Sequence, residues 1–122
     1  MNPAWITGAN GLIGNQVVQF APKFAPRWRV RALTRADFDL LDFAAIEREF
    51  ARDQPALVIH CAAITVVSDA QKNPARARRV NLEATKFLAE LAAWQVNARH
   101  TGAGARLGPV QLLRCVTWAC RW

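Results

Sequence analysis

The chain has 122 residues, 52% hydrophobic and 20% charged, a composition that fits one globular domain and excludes a disordered chain. Its formal charge is +7, carried by 13 Arg against three Lys, and the excess is uneven, since all nine acids lie at or before Glu90. Three cysteines without C-x-x-C spacing, Cys61, Cys115 and Cys120, argue against a disulfide framework and against a zinc site.

The elements follow in chain order. Ala4 to Thr7 is a short apolar run ending in Gly, a candidate strand. Leu12 to Ala21 places Ile13, Val17, Val18 and Ala21 at helical spacing, and Pro22 and Pro26 bracket a break. Trp28 to Leu33 alternates, with Trp28, Val30 and Ala32 on one face and Arg29 and Arg31 on a face expected to be wet. Asp42 is placed to cap a helix whose stripe is Phe43, Ile46 and Phe50, and "DQP" stops it. Ala56 to Ala63, "ALVIHCAA", reads as a strand covered on both faces, in which Cys61 is a buried thiol and His60 a satisfied core histidine. Asn73-Pro74 starts a helix that runs to about Trp94 with a buried stripe of Val80, Ala84, Phe87 and Leu91. Strand and helix alternate three times. The expected fold is therefore α/β, the N-terminal half of a Rossmann-type, doubly wound parallel sheet, incomplete as it stands.

Between the first strand and helix stands "GANGLIG", with Gly8, Gly11 and Gly14 spaced G-x-x-G-x-x-G. Gly8 allows a sharp exit from the strand, Gly11 lets backbone approach a pyrophosphate, and Gly14 lets the helix pack on the strand. The unpaired amides of the first helical turn and the helix dipole then favour phosphate. The end of the second strand reads the adenosine ribose: an acid there bonds the 2′-hydroxyl of NAD, an Arg accepts the 2′-phosphate of NADP. This chain has Thr34 and Arg35 there, and its first acid is Asp37, so the expected cofactor is NADP, with NAD as the alternative.

The motifs "TGANGLIG", "DFDLLD", "VIHCAAIT" and "NPARARRVNLEAT", in that order, resemble the extended short-chain dehydrogenase/reductases over about residues 1–93. Within them the chain is most similar to the dTDP-4-dehydrorhamnose reductase branch, NADPH-dependent enzymes acting on sugar nucleotides. The resemblance implies that Gly8, Asn10, Gly11, Leu12, Ile13 and Gly14 line the pyrophosphate, and that Asp39 and Leu40 meet the adenine. It places Ala62, Ala63 and Thr65 beside the nicotinamide ribose, and makes Asn81 the helix residue that bonds the neighbouring strand backbone. One departure stands out: the branch usually has V-D-x-A-E after the third strand, and here "VVSDAQ" sets Ser68 and Gln71 at the acidic positions. An NAD-dependent epimerase/dehydratase is the sibling reading.

Enzymes of this superfamily use a Tyr-x-x-x-Lys pair, in which Tyr is the general acid and Lys lowers its pKa. This sequence has no Tyr, and its last Lys is Lys86, so no catalytic residue is assigned. The expected organisation is a cofactor-binding half-domain over 1–94 and an irregular, non-family tail over 95–122 that resembles translation in the wrong frame. Missing strands are expected to leave the third strand as an open edge, a route to self-association and poor solubility. The expected partner is a dinucleotide, with a sugar nucleotide only in an intact parent. No metal is expected, since His100 with Cys115 and Cys120 makes no zinc spacing, and His60 with Cys61 fails as a nucleophile pair because neighbours on a strand point to opposite faces. Five scattered Trp and a basic charge without a motif do not argue for nucleic acid. Without a signal-peptide pattern or an 18-residue apolar stretch, a membrane is not expected and the cytoplasm is the expected compartment.

Overall fold

The structure, a computed structural model, describes residues 2–100 and 111–114. Strands β1 (Asn2–Thr7), β2 (Trp28–Leu33), β3 (Leu57–His60) and β4 (Gln111–Arg114) form one parallel sheet in the order β2-β1-β3-β4. β1 is central to the three N-terminal strands, with Thr7 opposite Leu33 on one side and His60 on the other. A parallel sheet needs crossovers, and helices α1 (Leu12–Phe24) and α2 (Phe43–Asp53) supply the first two. After β3 come the short helices α3 (Val67–Lys72) and α4 (Pro74–Arg78), a π turn at Arg79–Glu83, and the long helix α5 (Ala84–His100).

Alternation along β1 sorts the two faces. Trp5 is fully buried among Leu33, Phe38, Ile46, Phe50, Val58 and Leu88, so α2 and α5 cover this face. The Phe50 ring meets Trp5 edge-on at 5.2 Å, and Phe43 of α2 stacks on Phe87 of α5 at 4.7 Å. Ala4 and Ile6 turn to the opposite face, the side of α1, where they line an apolar groove together with its Val17, Phe20 and Ala21. Asp42 caps α2 by accepting from the Ala45 N–H at 3.0 Å, and Gln54, at φ 45°, ends it in the left-handed conformation.

Three expectations change. Pro22 does not end α1 but sits exposed inside its last turns, where the missing amide forfeits a single hydrogen bond at the edge of the molecule. The β2 face expected to be wet is so at Arg29, which is exposed, but not at Arg31, which is half-buried and pairs with Glu49 at 2.8 Å and with Asp53, both on α2. Asp53 also accepts from the Trp5 indole N–H at 2.9 Å. Burial alone raises the Asp53 pKa, but hydrogen bonds from Arg31, Trp5 and Arg52 outweigh it and hold the carboxyl below its usual range. β3 is shorter than the apolar run that announces it, because after Cys61 N–H bonds Thr7 C=O at 3.2 Å the chain leaves the sheet.

Residues 95–100 continue α5, and Gln111–Arg114 pairs with β3 from Leu57 to His60. Those stretches are regular, and the edge of β3 that prompted the expectation of self-association is occupied by β4. The rest of 95–122 lies outside the described residues.

Candidate functional site

The three N-terminal strands all point their C-terminal ends at one cavity of about 410 Å³. That is where open parallel sheets bind ligands, and here the chain leaves β1 for α1 on one face and the adjacent β3 for α5 on the other, which opens a crevice between their ends. Each strand end supplies one wall. Thr7, Gly8, Asn10 and Gly11 follow β1; Thr34, Arg35, Asp39 and Leu40 follow β2; Ala62, Ala63 and Ile64 follow β3.

The β1 wall is a tight turn. Gly8 adopts φ +66°, and Gly11 N–H closes on its carbonyl at 2.9 Å. A Cβ on Gly8 would lie 2.7 Å from the Ala62 nitrogen, so the first and third walls touch backbone to backbone there. Gly14 is buried under the turn, and its Cβ would stand 2.1 Å from the Gly8 carbonyl oxygen. Gly11 differs. Its φ of −76° and ψ of 167° suit any residue, and a Cβ would meet just one atom within 4 Å, the Gly8 oxygen at 3.2 Å. Gly11 is also the N-cap of α1, with no side-chain cap and no acid in the first turn, so the helix presents bare amides to the cavity mouth.

The β2 wall is set by Asp37, whose carboxylate accepts from the Thr34 N–H at 2.8 Å and from its hydroxyl at 3.1 Å. The first acid after β2 is thus spent on its own turn, and Arg35 and Asp39 line the cavity. The β3 wall is held by Asn81 of the π turn, which accepts from Ile64 N–H at 2.7 Å and donates to Ile64 C=O at 3.0 Å.

His60, buried behind this wall, joins three elements. Thr85 of α5 donates its hydroxyl to Asn81 C=O at 2.9 Å, so it accepts from His60 Nε2–H at 3.0 Å. His60 Nδ1 then accepts from the Thr7 hydroxyl at 2.6 Å. Burial pushes the His60 pKa down to about 4 from 6.5. Because the folded pKa is the lower one, the unfolded chain binds the proton first. His60's contribution is complete above pH 6.5 and falls by about 3 kcal/mol as the pH drops to 4, about 2 of it by pH 5. Denaturant midpoints at pH 7 and pH 5 check this: His60→Gln, which keeps a donor and an acceptor, should flatten the dependence, and an equal slope in both proteins would contradict it.

The structure brings together Gly8, Asn10, Gly11, Arg35, Asp39, Leu40, Ala62 and Ala63 of the expected set. Leu12 and Ile13 do not line the cavity: their side chains are exposed on the first turn of α1, which leaves only their backbone for a ligand. Gly14 is a packing residue below the turn, and Thr65 is exposed one residue beyond the wall. Thr34, named beside Arg35 at the end of β2, lines the cavity as well, and Phe38, Ile64, Arg76 and Val80 line it without having been expected there. Among the described residues no His, Cys, Asp and Glu group could hold a metal ion, and no helix is long and apolar enough to cross a membrane.

Residues 2–99 match the family of the RmlD substrate binding domain. The chain belongs to that family. It is 37% identical over 89 residues to a dTDP-4-dehydrorhamnose reductase of Streptomyces griseus, an alignment covering 72% of this chain and 29% of that protein. Among solved structures it resembles the Bacillus anthracis dTDP-4-dehydrorhamnose reductase in complex with NADP, with a TM-score of 0.69 and 25% identity over 78% of this chain and 34% of the other. Thermus thermophilus UDP-glucose 4-epimerase complexed with NAD follows at a TM-score of 0.67 and 25% identity, over 76% of this chain and 34% of the other. The chain thus spans about a third of the length of the proteins it matches. The Rossmann-type reading of the sequence and its resemblance to the dTDP-4-dehydrorhamnose reductases both hold.

Proposed function

We propose that this chain is the cofactor-binding half of an NADPH-dependent sugar-nucleotide reductase, able to bind the dinucleotide and unable, as written, to reduce a sugar. The carrying observation is Gly11. The fold forces Gly8 and Gly14 to lack side chains, but it does not force Gly11, whose missing Cβ keeps the cavity mouth open beside bare helix amides. A diphosphate is the ligand chemistry that uses both features. The assignment of Gly8, Asn10, Leu12, Ile13 and Gly14 around it takes them as a backbone cradle and its support. Asp39 and Leu40 take the adenine end, and Ala62, Ala63 and Thr65 the nicotinamide ribose.

When bound, NADPH supplies the hydride. This chain's residues bind and orient it, and none can serve as the Tyr acid, since no Tyr is present. The reading of the tail as foreign to the family belongs to this proposal from residue 100 on, since the family match runs to residue 99.

Arg35 separates NADP from NAD. It is exposed at the β2 end and has no acidic partner among the described residues, so its guanidinium is available to a 2′-phosphate. In fluorescence titrations Arg35→Ala should weaken NADPH binding about tenfold and leave NADH unchanged. Tighter NADH than NADPH binding in the unaltered chain would favour the epimerase/dehydratase sibling instead.

A further inference from the structure

The cavity carries a second cation. Sheet order puts the β2 end, with Arg35 and Asp39, on one flank of the Gly-rich turn and the β3 end on the other. Arg76 belongs to the β3 flank. Val80, one turn further along the same helical face, lines the cavity with it, and Asn81 ties that helix to Ile64 by two hydrogen bonds. The segment is fixed: Ala77 and Val80 are buried, and Asn73 accepts from the Arg76 N–H at 3.0 Å. Its neighbours Arg78 and Arg79 face Glu83 at 4.0 and 3.9 Å, whereas Arg76 has no acidic partner among the described residues.

Charge gives this cation a task. A dinucleotide's diphosphate brings two negative charges, and a helix N-terminus offers only about half a positive one. The turn itself holds no cation, and Asp39, the one acid among the described cavity residues, sits on the β2 flank. We propose that Arg76 is a second diphosphate-binding cation of this cleft, reaching the cofactor's diphosphate from the β3 flank. The inference rests on the dinucleotide reading above and adds a residue to it.

NADPH and NADH titrations of the unaltered chain, Arg76→Ala and Arg76→Lys test it. Arg76→Ala should weaken both cofactors by the same factor, about tenfold, because both carry the diphosphate. Arg76→Lys should recover most of that loss. Arg76 is exposed, so its replacement should leave the thermal midpoint in place. Unchanged affinity for both cofactors, or a loss confined to NADPH, would overturn the proposal while leaving the cofactor reading intact. A sugar nucleotide also carries a diphosphate, so dTDP is titrated in parallel: a loss for dTDP alone overturns the cofactor assignment of Arg76. If the unaltered chain binds neither cofactor, both readings fall together.

Discussion

Gly11→Val is expected to weaken NADPH binding by a hundredfold or more while moving the thermal midpoint by only a few degrees. The backbone at Gly11 is ordinary extended chain, which a β-branched residue adopts without strain. The one close approach, 3.2 Å to the Gly8 oxygen, asks for a shift of a few tenths of an ångström. Losing a tolerable N-cap for a poor one costs about 1 kcal/mol. The ligand has no such latitude. Two methyl groups at the helix mouth hold the diphosphate away from the amides, and each charge-assisted hydrogen bond lost there costs about 1.5–3 kcal/mol. Two of them make about 3–6 kcal/mol, or about two to four powers of ten in Kd. Isothermal titration alongside thermal unfolding separates the two effects. Undiminished affinity would remove the pyrophosphate assignment from this turn.

Gly14→Ala should have the opposite signature and destabilise the fold by about 3 kcal/mol or more. Helix propensity by itself says otherwise, since Ala in place of a helical Gly gains about 1 kcal/mol. Packing decides the sign. The new Cβ would stand 2.1 Å from the Gly8 carbonyl oxygen and 2.7 Å from its carbonyl carbon, and both are backbone atoms that no rotamer change can move. Relief requires lifting α1 off the turn, which also separates it from the Ala4 and Ile6 face it covers. A lower denaturant midpoint at unchanged m-value is the expected reading. A stabilised Gly14→Ala protein would show that α1 and the turn are farther apart than the structure places them.

Much of this architecture is legible because its signals are local. The three glycines, the Asp42 cap, the Asn73-Pro74 start and the apolar stripe through Val80 and Ala84 each act within one or two turns of chain. What escaped the sequence is either non-local or without pattern. Arg31 reads as a solvated charge until α2 brings Glu49 and Asp53, 18 and 22 residues away, against it. α3 buries no residue, so it has no apolar period to betray it. The π turn at Arg79–Glu83 continues the hydrophobic stripe of its flanks and leaves no mark in composition. Arg76 is one of three arginines in the four residues 76–79, and only the folded cavity shows that it is the one that lines it. Leu12 and Ile13 illustrate the converse: the motif located the right turn, but there only the backbone can face a ligand.

The most direct test of the account is a titration of the purified, unaltered chain with NADPH, followed by nicotinamide fluorescence, with NADH as the comparison. Saturable one-site binding, tighter for NADPH than for NADH, is the predicted result. No saturable binding of either dinucleotide would contradict the account at its centre, since the cavity at the strand ends would then be a feature of the fold without its ligand.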